Sequence, residues 1–410
     1  MKREECLVVA CGHGINDPLV STLMLEYALK LQRERPRPML FFTEEPDGQE
    51  ASQEVLAKMA ANGIKWCPMR YDVKGRQLLQ RLRNTATFCL KSLAFARGAQ
   101  RKTVVAFLSM PGSYASILRS LGFDHFVMVS FEPHSRYMLE LGRWKQGTLK
   151  VRVAQYFEQR QLRNADVVVA PTIAAFRLIR QGGSPAHVVH QGVTIDVAAN
   201  RRREVQRTVV RHKYGLDGCI VLCYAGKFNG LYYSEAEYAR FMRMTCDMDP
   251  RVRHLIVTFP EHGGKLQELV ASLGLGNRAV ITGPVPPSEL PDYLSASDMG
   301  VIAVPPTPSQ VFRTPVKSAL YWAAGLPIII PEGISDDWQI TRDHGVGLVI
   351  PDLLTIDESR FREWLEKVAQ DGSGAIQRRC VEVALRYRDT SRMVEVLHDA
   401  LDAAGDVPRT

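Results

Sequence analysis

Short apolar runs recur along the chain, and most are followed by a segment of helix length with apolar residues at helical spacing. The runs show little alternation of apolar and polar residues, which is typical of strands buried on both faces of a parallel sheet. The predicted strands are 6–11, 38–43, 103–108, 125–131 and 166–170, then 219–225, 253–259, 278–282, 299–304 and 326–331. The predicted helices include 19–33, 113–121, 148–163, 234–246 and 314–324. This alternation predicts doubly wound parallel sheets with right-handed crossovers.

A polar and basic segment, 196–213, separates the two series of strands and shows no strand pattern of its own. We therefore predict an α/β fold with two Rossmann-like domains facing each other across a cleft. The first domain spans 1–195, the segment 196–213 is the linker, and the second domain spans 214–356. The tail, 357–410, shows helical patterns without strands, and its helices are candidates for packing back on the first domain. Ligands of such folds bind at the carboxyl ends of the strands.

Composition narrows the class of protein. The chain has 410 residues, of which 46% are apolar and 23% charged, as in ordinary globular proteins. This excludes a largely disordered, collagen-like or disulfide-dense chain. Because no run of about 18 uncharged apolar residues occurs, we expect no spanning helix. The first apolar run ends in glycines and predicts a strand rather than a signal peptide. Eight cysteines without a C-x-x-C pair predict buried free thiols in a reducing cytoplasm.

The net charge of +8 is unevenly distributed. No acidic residue occurs between Asp72 and Asp124, and leucines recur there at roughly helical spacing among basic residues, together with Phe88 and Phe95. Two interpretations stay open: a basic amphipathic helix on an anionic membrane surface, and a core-facing helix with a solvated basic face. Nucleic acid is disfavoured as a partner, because RNA-stacking motifs and zinc-ligand spacings are absent.

Glycines follow the first strand of each predicted domain. Gly12 and Gly14 would let backbone amides approach a ligand, and the helix that follows would offer its N-terminus to an anion. A plain strand-to-helix turn explains them equally well, since the third glycine of the dinucleotide fingerprint is missing. In the second domain, Gly226 opens space and the ammonium of Lys227 suits a diphosphate, although a lysine after a strand is also common without function.

A loop rich in polar side chains follows the predicted strand 125–131. It holds Glu132, His134 and Arg136, and such strand ends are where α/β sheets place functional residues. The imidazole of His134 is suited to orient a sugar hydroxyl or to donate to a developing charge. A surface loop without function is the alternative.

The segment 313–325 is the most specific of these motifs. Thr314 is a candidate N-cap, and Pro315 fits the first helical position. The first turn of this helix would present free amides, the positive end of the helix dipole, Lys317 and Ser318. These features together predict a phosphate site.

Taken in order, these motifs resemble the retaining family 4 glycosyltransferases, which have the GT-B architecture of two Rossmann-like domains. The string P-x-K-x-x-x-Y-x-A-A-G-x-P-I-I-I at 315–330 resembles their donor-site helix and following strand. Residues 191–196 resemble their N-G-V-D segment, and 226–227 resemble their G-R. The run from Glu158 to Asp166 resembles their E-x6-A-D segment, and His134 falls where they keep an active-site histidine.

The resemblance implies transfer of a sugar from a nucleotide-diphosphate sugar to a glycan, lipid-linked or glycolipid acceptor. It implies retention of configuration without a metal or other cofactor, in a cytoplasmic enzyme of polysaccharide biosynthesis at the inner face of the membrane. The implied catalytic residues are His134, Lys227 and Lys317. The implied donor-binding residues are Gly12, Gly14, Gly226, Arg313, Thr314 and Ser318, and the implied acceptor or auxiliary residues are Glu132 and Arg136.

Two departures from the family pattern keep other functions open. Leu320 and Phe312 occupy the positions of the family's paired glutamates, and Tyr232 and Tyr233 occupy the region of its usual lysine. A catalytically inactive GT-B-like partner subunit would explain these losses. A sugar-nucleotide epimerase of the same architecture is a further alternative.

Overall fold

The computed structural model describes residues 3–72, 77–129, 133–371 and 374–406. The chain forms two compact units: unit 1 comprises Met1–Gly192 with Thr390–Thr410, and unit 2 comprises Val193–Asp389. The segment predicted as a linker, 196–213, lies in unit 2 and contains a helix, Glu204–Lys213. The tail predicted from residue 357 onward is divided between the units at residue 390.

Unit 1 is built on a seven-stranded parallel sheet. Its strands are β1 (Arg3–Cys11), β2 (Met39–Pro46), β3 (Ile64–Tyr71), β4 (Ala99–Phe107), β5 (His125–Val129), β6 (Val167–Ala170) and β7 (His187–His190). They lie in the order β3-β2-β1-β4-β5-β6-β7. The helices are α1 (Leu25–Glu34), α2 (Gln53–Ala61), α3 (Gln77–Phe95), α4 (Ser109–Ser120), α5 (His134–Glu140), α6 (Leu149–Asn164) and α7 (Ile173–Gln181). A π-helical turn, Val20–Met24, precedes α1.

Unit 2 repeats this plan with six parallel strands. Its helices are α8 (Glu204–Lys213), α9 (Glu235–Met248), α10 (Pro260–Ser272), α11 (Leu290–Ser295), α12 (Val316–Ala323), α13 (Asp337–His344), α14 (Glu358–Ala369) and α15 (Ala375–Tyr387). The strands are β8 (Ile220–Ala225), β9 (Val252–Val257), β10 (Ala279–Thr282), β11 (Met299–Val301), β12 (Ile328–Pro331) and β13 (Gly347–Ile350). Their order is β10-β9-β8-β11-β12-β13. In both sheets, the first strand of the unit lies beside the fourth, so the strand order reverses there.

The apolar runs predict the central strands of both sheets, and the three strands that they miss are β3, β7 and β13. Each of these lies at the edge of its sheet. In β3, exposed and half-buried side chains alternate with buried ones, and in β7 no side chain is buried. The central strands are covered on both faces, as in β1, where Leu7 and Val8 are fully buried. An edge strand needs fewer apolar residues and so gives a weaker signal.

The last helix, α16 (Thr390–Asp406), belongs to unit 1, whereas α14 and α15 belong to unit 2. Leu397 and Leu401 of α16 are buried. At its surface, Arg35 donates two hydrogen bonds of 2.8 and 2.9 Å to Asp402, and His398 lies 3.1 Å from Glu34. These contacts join the end of the chain to its beginning.

The basic stretch between Asp72 and Asp124 contains α3, which uses one face for the core. Phe88 is fully buried and packs on Phe42, with ring centres 4.7 Å apart, as the core-facing interpretation of this helix requires. The opposite face leaves the leucines Leu79, Leu82 and Leu90 57%, 60% and 68% exposed. No helix in the described part of the chain is long and apolar enough to cross a membrane. All eight cysteines are free thiols, and all but Cys219 are buried.

Candidate functional site

The candidate site of unit 2 lies where its strand order reverses, at the carboxyl ends of β8 and β11. The loop after β8 begins at Gly226, and the loop after β11 leads to α12. The backbone amide of Tyr233 donates to the carbonyl of Ala303 at 3.3 Å and ties the two loops together. A reversal point of this kind is the usual ligand-binding edge of a doubly wound sheet.

Lys317 extends from α12 across the loop after β8. A Cβ atom at Gly226 would lie 2.4 Å from Cε and 2.8 Å from Nζ of Lys317, so this glycine provides the space that the lysine occupies. Gly226 is held in place because its amide donates to Val257 at 2.9 Å and its carbonyl accepts from Thr258 at 2.7 Å. The structure thus brings together two predicted site residues from separate motifs.

Close packing of α12 on the sheet sets the position of Lys317. Tyr321, one turn further along the same face, accepts a hydrogen bond of 3.0 Å from the amide of Ala225. A Cβ at Gly300 would lie 2.3 Å from the ring of Tyr321, so the helix lies close against β11. The helix begins at Val316 with Pro315 as its N-cap, and the prediction of Thr314 as N-cap is wrong.

Tyr232 is the residue at which the predicted cations meet. The Nζ atom of Lys317 lies 4.0 Å from the centre of its ring. The charge of Lys317 lowers the pKa of Tyr232 against the opposing effect of burial, and the charges of Arg313 and Lys227 act in the same direction. Lys227 is exposed and its Nζ lies 5.3 Å from the ring centre of Phe259. Lys317 therefore contacts the ring of Tyr232, and Arg313 and Lys227 carry positive charge near enough to act on its hydroxyl.

The turn that carries Tyr232 is anchored from below by Glu235. Asn229 has a positive φ of 64° and donates from Nδ2 to both oxygens of this carboxylate, at 3.0 and 2.9 Å. Glu235 is 2% exposed and also contacts His262 at 2.7 Å and Lys265 at 3.2 Å. Burial raises the pKa of Glu235, but these contacts outweigh it and hold the pKa at about 2. The Asn229-Gly230 dipeptide is a turn signal that sequence reasoning could have used.

Two further predicted donor-binding residues lie behind the cations. Ser318 is fully buried, and its hydroxyl lies beside Asp337 in the interior of unit 2. Burial raises the pKa of Asp337, and the buried guanidinium of Arg388, its ion-pair partner, opposes the rise. The Ser318 side chain therefore faces the core, and its backbone amide is the part left near the helix start. Thr314 is half-buried, and its hydroxyl accepts from Ser335 at 3.5 Å.

The glycine loop of unit 1 lies against carboxylates. A Cβ at Gly14 would lie 2.7 Å from Oε2 of Glu45, and the amide of Ile15 donates to the same carboxylate at 2.8 Å. Glu44, beside it, accepts from the hydroxyl of Tyr114 at 2.8 Å, and burial raises the pKa of Glu44. Negative charge at this position opposes the binding of a phosphate. Close packing against Glu45 therefore explains why residue 14 is a glycine. The same reason holds for Gly12, because its Cβ would lie 3.1 Å from Pro111.

A cavity of about 490 Å³ opens beside this loop within unit 1. Its walls include His13, Asn16, Asp17, Gln49 and Tyr71. His13 lies 3.6 Å from Asp17. These donors and acceptors suit a hydroxyl-rich ligand.

His134 is the first residue of α5 and is half-buried. The ring of Trp144 meets it edge-on with centres 5.4 Å apart. The next residue, Ser135, donates to Glu158 from its amide at 2.7 Å and from its hydroxyl at 2.6 Å, which fixes the start of the helix. Arg136 is exposed. Glu132 lies outside the described residues.

Across the described ranges, no group of three His, Cys, Asp or Glu side chains is arranged to hold a metal ion. The site residues fall into two sets, one in each unit: Gly12, Gly14, His134 and Arg136 in unit 1, and Gly226, Lys227, Arg313, Thr314, Lys317 and Ser318 in unit 2.

Comparison with known proteins identifies the architecture. Residues 274–387 match the family model of the Glucosyltransferase 3-like, C-terminal domain. No curated protein sequence matches the chain. Among solved structures, HepE of Anabaena in complex with UDP-glucose is similar, with 13% identity and a TM-score of 0.69 over 97% of this chain and 99% of that one.

Two further solved structures have the same arrangement of elements. Sucrose-phosphate synthase from Thermosynechococcus elongatus is 14% identical, with a TM-score of 0.69 over 97% of this chain and 100% of that one. The α,α-trehalose 6-phosphate synthase from Burkholderia multivorans is 12% identical, with a TM-score of 0.67 over 99% of each chain. The chain therefore has the GT-B fold of two Rossmann-like domains that its sequence predicts.

Proposed function

We propose that the protein is a glycosyltransferase that takes its sugar from a nucleotide-diphosphate sugar. The observation that carries the proposal is the cluster of Lys227, Arg313 and Lys317 at the reversal point of the unit 2 sheet, beside the N-terminus of α12. Cations and helix amides gathered at such an edge suit a diphosphate. The family model matched by residues 274–387 and the UDP-glucose complex of HepE support this substrate class.

The chemistry requires stabilisation of the leaving group. When the bond between the anomeric carbon and the phosphate oxygen breaks, its electron pair stays on the diphosphate and the sugar becomes oxocarbenium-like. Lys317, Lys227 and Arg313 would stabilise the growing charge on that oxygen. In the proposed retaining reaction, the oxygen of the acceptor hydroxyl forms the new bond to the anomeric carbon and its proton passes to the leaving phosphate, so no separate protein base and no metal or other cofactor is required. His134 is proposed to contact the donor sugar.

The acceptor is proposed to be a glycan, a lipid-linked glycan or a glycolipid, and to bind unit 1. The cavity beside Gly14, with His13, Asn16 and Asp17 in its walls, offers hydrogen-bond donors and acceptors for sugar hydroxyls. The buried carboxylates Glu44 and Glu45 behind this loop would disfavour an acceptor with a phosphate at that position.

A panel of nucleotide sugars, supplied with and without oligosaccharide acceptors, tests the proposal. Release of the nucleoside diphosphate that depends on the acceptor is the expected result. Isomerisation of the sugar without an acceptor would instead favour the epimerase alternative. Absence of nucleotide binding by the folded protein would favour the inactive partner subunit and overturn the proposed function.

We also propose that α3 contacts an anionic membrane surface, where a lipid-linked acceptor would be found. Its outer face presents Leu79, Leu82 and Leu90 beside the exposed basic residues Arg81 and Arg83. Apolar side chains among basic ones bind interfaces that carry negative lipids. Binding to phosphatidylglycerol vesicles should fall with salt and with Leu82→Glu, while Val209→Glu on the exposed face of α8 serves as the control. Equal binding to neutral vesicles would contradict the proposal.

A further inference from the structure

Tyr232 has no part in the chemistry described so far, although it lies beside the cations of the proposed diphosphate site. Its ring receives the ammonium of Lys317 at 4.0 Å, and the charges of Arg313 and Lys227 reach its hydroxyl. Tyr232 and Tyr233 together occupy the region in which the family pattern has a lysine. A phenol among cations occupies a position that is favourable for an anion, since its oxygen is the negative end of the group.

We propose that Tyr232 is a donor-binding residue whose hydroxyl hydrogen-bonds to the diphosphate and whose ring positions Lys317. This inference rests on the proposed function. A bound diphosphate would form ion pairs with the cations, and the phenol would then donate its O–H to a phosphate oxygen. Lys317 would then supply positive charge from α12, and Tyr232 would supply a hydrogen-bond donor from the loop after β8.

The structure holds Tyr232 in place before any ligand arrives. The amide of Tyr232 donates to the carbonyl of Asn229 at 3.2 Å, and Asn229 is fixed by both oxygens of the buried Glu235. The neighbouring Tyr233 is 4% exposed and its hydroxyl donates to the half-buried Asp352. Adjacent tyrosines therefore have opposite surroundings, one among cations and one beside a carboxylate. A donor fixed in advance loses little freedom when the ligand binds.

Tyr232→Phe separates the two roles, because it keeps the ring against Lys317 and removes the hydroxyl. Binding of UDP, GDP and ADP, and of inorganic pyrophosphate, is measured by calorimetry. Loss of a hydrogen bond to a charged group should weaken the binding of pyrophosphate and of the best-bound nucleotide roughly ten- to a hundredfold. Affinity for the nucleoside alone should not change. Tyr232→Leu also removes the ring and should weaken binding further.

Tyr233→Phe is the matched control, since it removes a hydroxyl that faces Asp352 and should leave diphosphate affinity unchanged in the folded protein. The pH profile provides a readout that a structural role would not produce. As pH rises through the lowered pKa of Tyr232, the phenolate repels the diphosphate, so wild-type affinity should fall. The groups that act on the phenol are Lys317, Arg313, Lys227 and Tyr224, and all four are retained in Tyr232→Phe. In Tyr232→Phe, the fall in diphosphate affinity that the phenolate causes should therefore be absent.

The outcomes separate this inference from the proposed function. Equal diphosphate affinity and equal pH profiles for wild type and Tyr232→Phe would overturn the role of Tyr232 and leave the transferase intact. Failure of the folded wild-type protein to bind UDP, GDP, ADP and pyrophosphate would overturn both. Loss of binding in Tyr232→Phe together with a lower melting temperature would assign the hydroxyl to folding and would also overturn the inference.

Discussion

The loops after β1 and β8 occupy the same place in two sheets of the same strand order, yet they present opposite charge. Each contains a glycine whose missing Cβ makes room for a charged side chain. At Gly14 that side chain is the carboxylate of Glu45, and at Gly226 it is the ammonium of Lys317. The shared architecture therefore determines where a ligand can bind, and the residue opposite the glycine decides which ligand is attracted. A diphosphate is favoured in unit 2 and disfavoured at the equivalent edge of unit 1.

The largest expected effect follows from removing the ammonium group of Lys317. Lys317→Ala should lower the turnover of sugar transfer roughly 100- to 1,000-fold, because the leaving phosphate loses a preorganised positive group. The measurement is steady-state release of nucleoside diphosphate in the presence of acceptor. Lys213→Ala, an exposed lysine of α8, is the control and should retain full activity. Unchanged turnover in Lys317→Ala would remove this residue from the site.

Removal of the carboxylate of unit 1 should affect stability rather than nucleotide binding. Glu45 is 1% exposed and accepts the amide of Ile15, so Glu45→Ala leaves a buried donor without its partner. Urea denaturation should show a loss of about 1–3 kcal/mol in the free energy of unfolding. If UDP affinity fell instead, with stability intact, the contrast between the two loops would be wrong.

The two glycines allow a paired test. Gly226→Ala should displace Lys317 and weaken UDP binding about tenfold, which corresponds to about 1.4 kcal/mol. Gly14→Ala should instead push against Glu45 and lower the melting temperature without changing UDP affinity. Calorimetry and thermal denaturation of both variants measure the pair, and a loss of UDP affinity in Gly14→Ala would show that the unit 1 loop binds the diphosphate as well.

The smallest effect is expected at acidic pH. The pKa of Glu235 is held at about 2, below its ordinary value of 4.5, so its ionised form favours the folded state. This contribution is complete above about pH 4.5 and is lost as pH falls towards 2. Glu235→Gln should therefore be less stable than wild type at neutral pH, and the difference should shrink towards pH 2. A constant difference at every pH would assign the loss to packing.

Strands are predicted from the sequence where their apolar runs are continuous. Continuous apolar runs predict the inner strands of both sheets, because those strands are covered on two faces. β3 and β7 were missed because an edge strand mixes polar and apolar positions. In the site, the motif at 313–325 and the Gly226-Lys227 pair each predict their own segment of unit 2. The approach of their cations to Tyr232 depends on how three separate segments pack against one another. No local sequence pattern contains that information.

The surroundings of two predicted site residues also have physical causes that the motifs do not show. Ser318 follows Lys317 directly, but successive residues of a helix point about 100° apart, so one faces the cation cluster and the other the core. The acidic surroundings of Gly14 come from the end of β2, where Glu44 and Glu45 are buried although glutamates usually mark a surface.

The place of α16 in unit 1 has a consequence for synthesis on the ribosome. Met393, Val394, Leu397 and Leu401 are at most 1% exposed, so unit 1 completes its core with residues that are translated after the whole of unit 2. Unit 2 is continuous, so all its residues have been synthesised before α16. The first part of unit 1 therefore keeps apolar surface exposed until α16 is synthesised. A chain ending at residue 389 should accordingly show faster amide hydrogen exchange in β5 and β6, which α16 packs against, while the exchange of unit 2 stays unchanged.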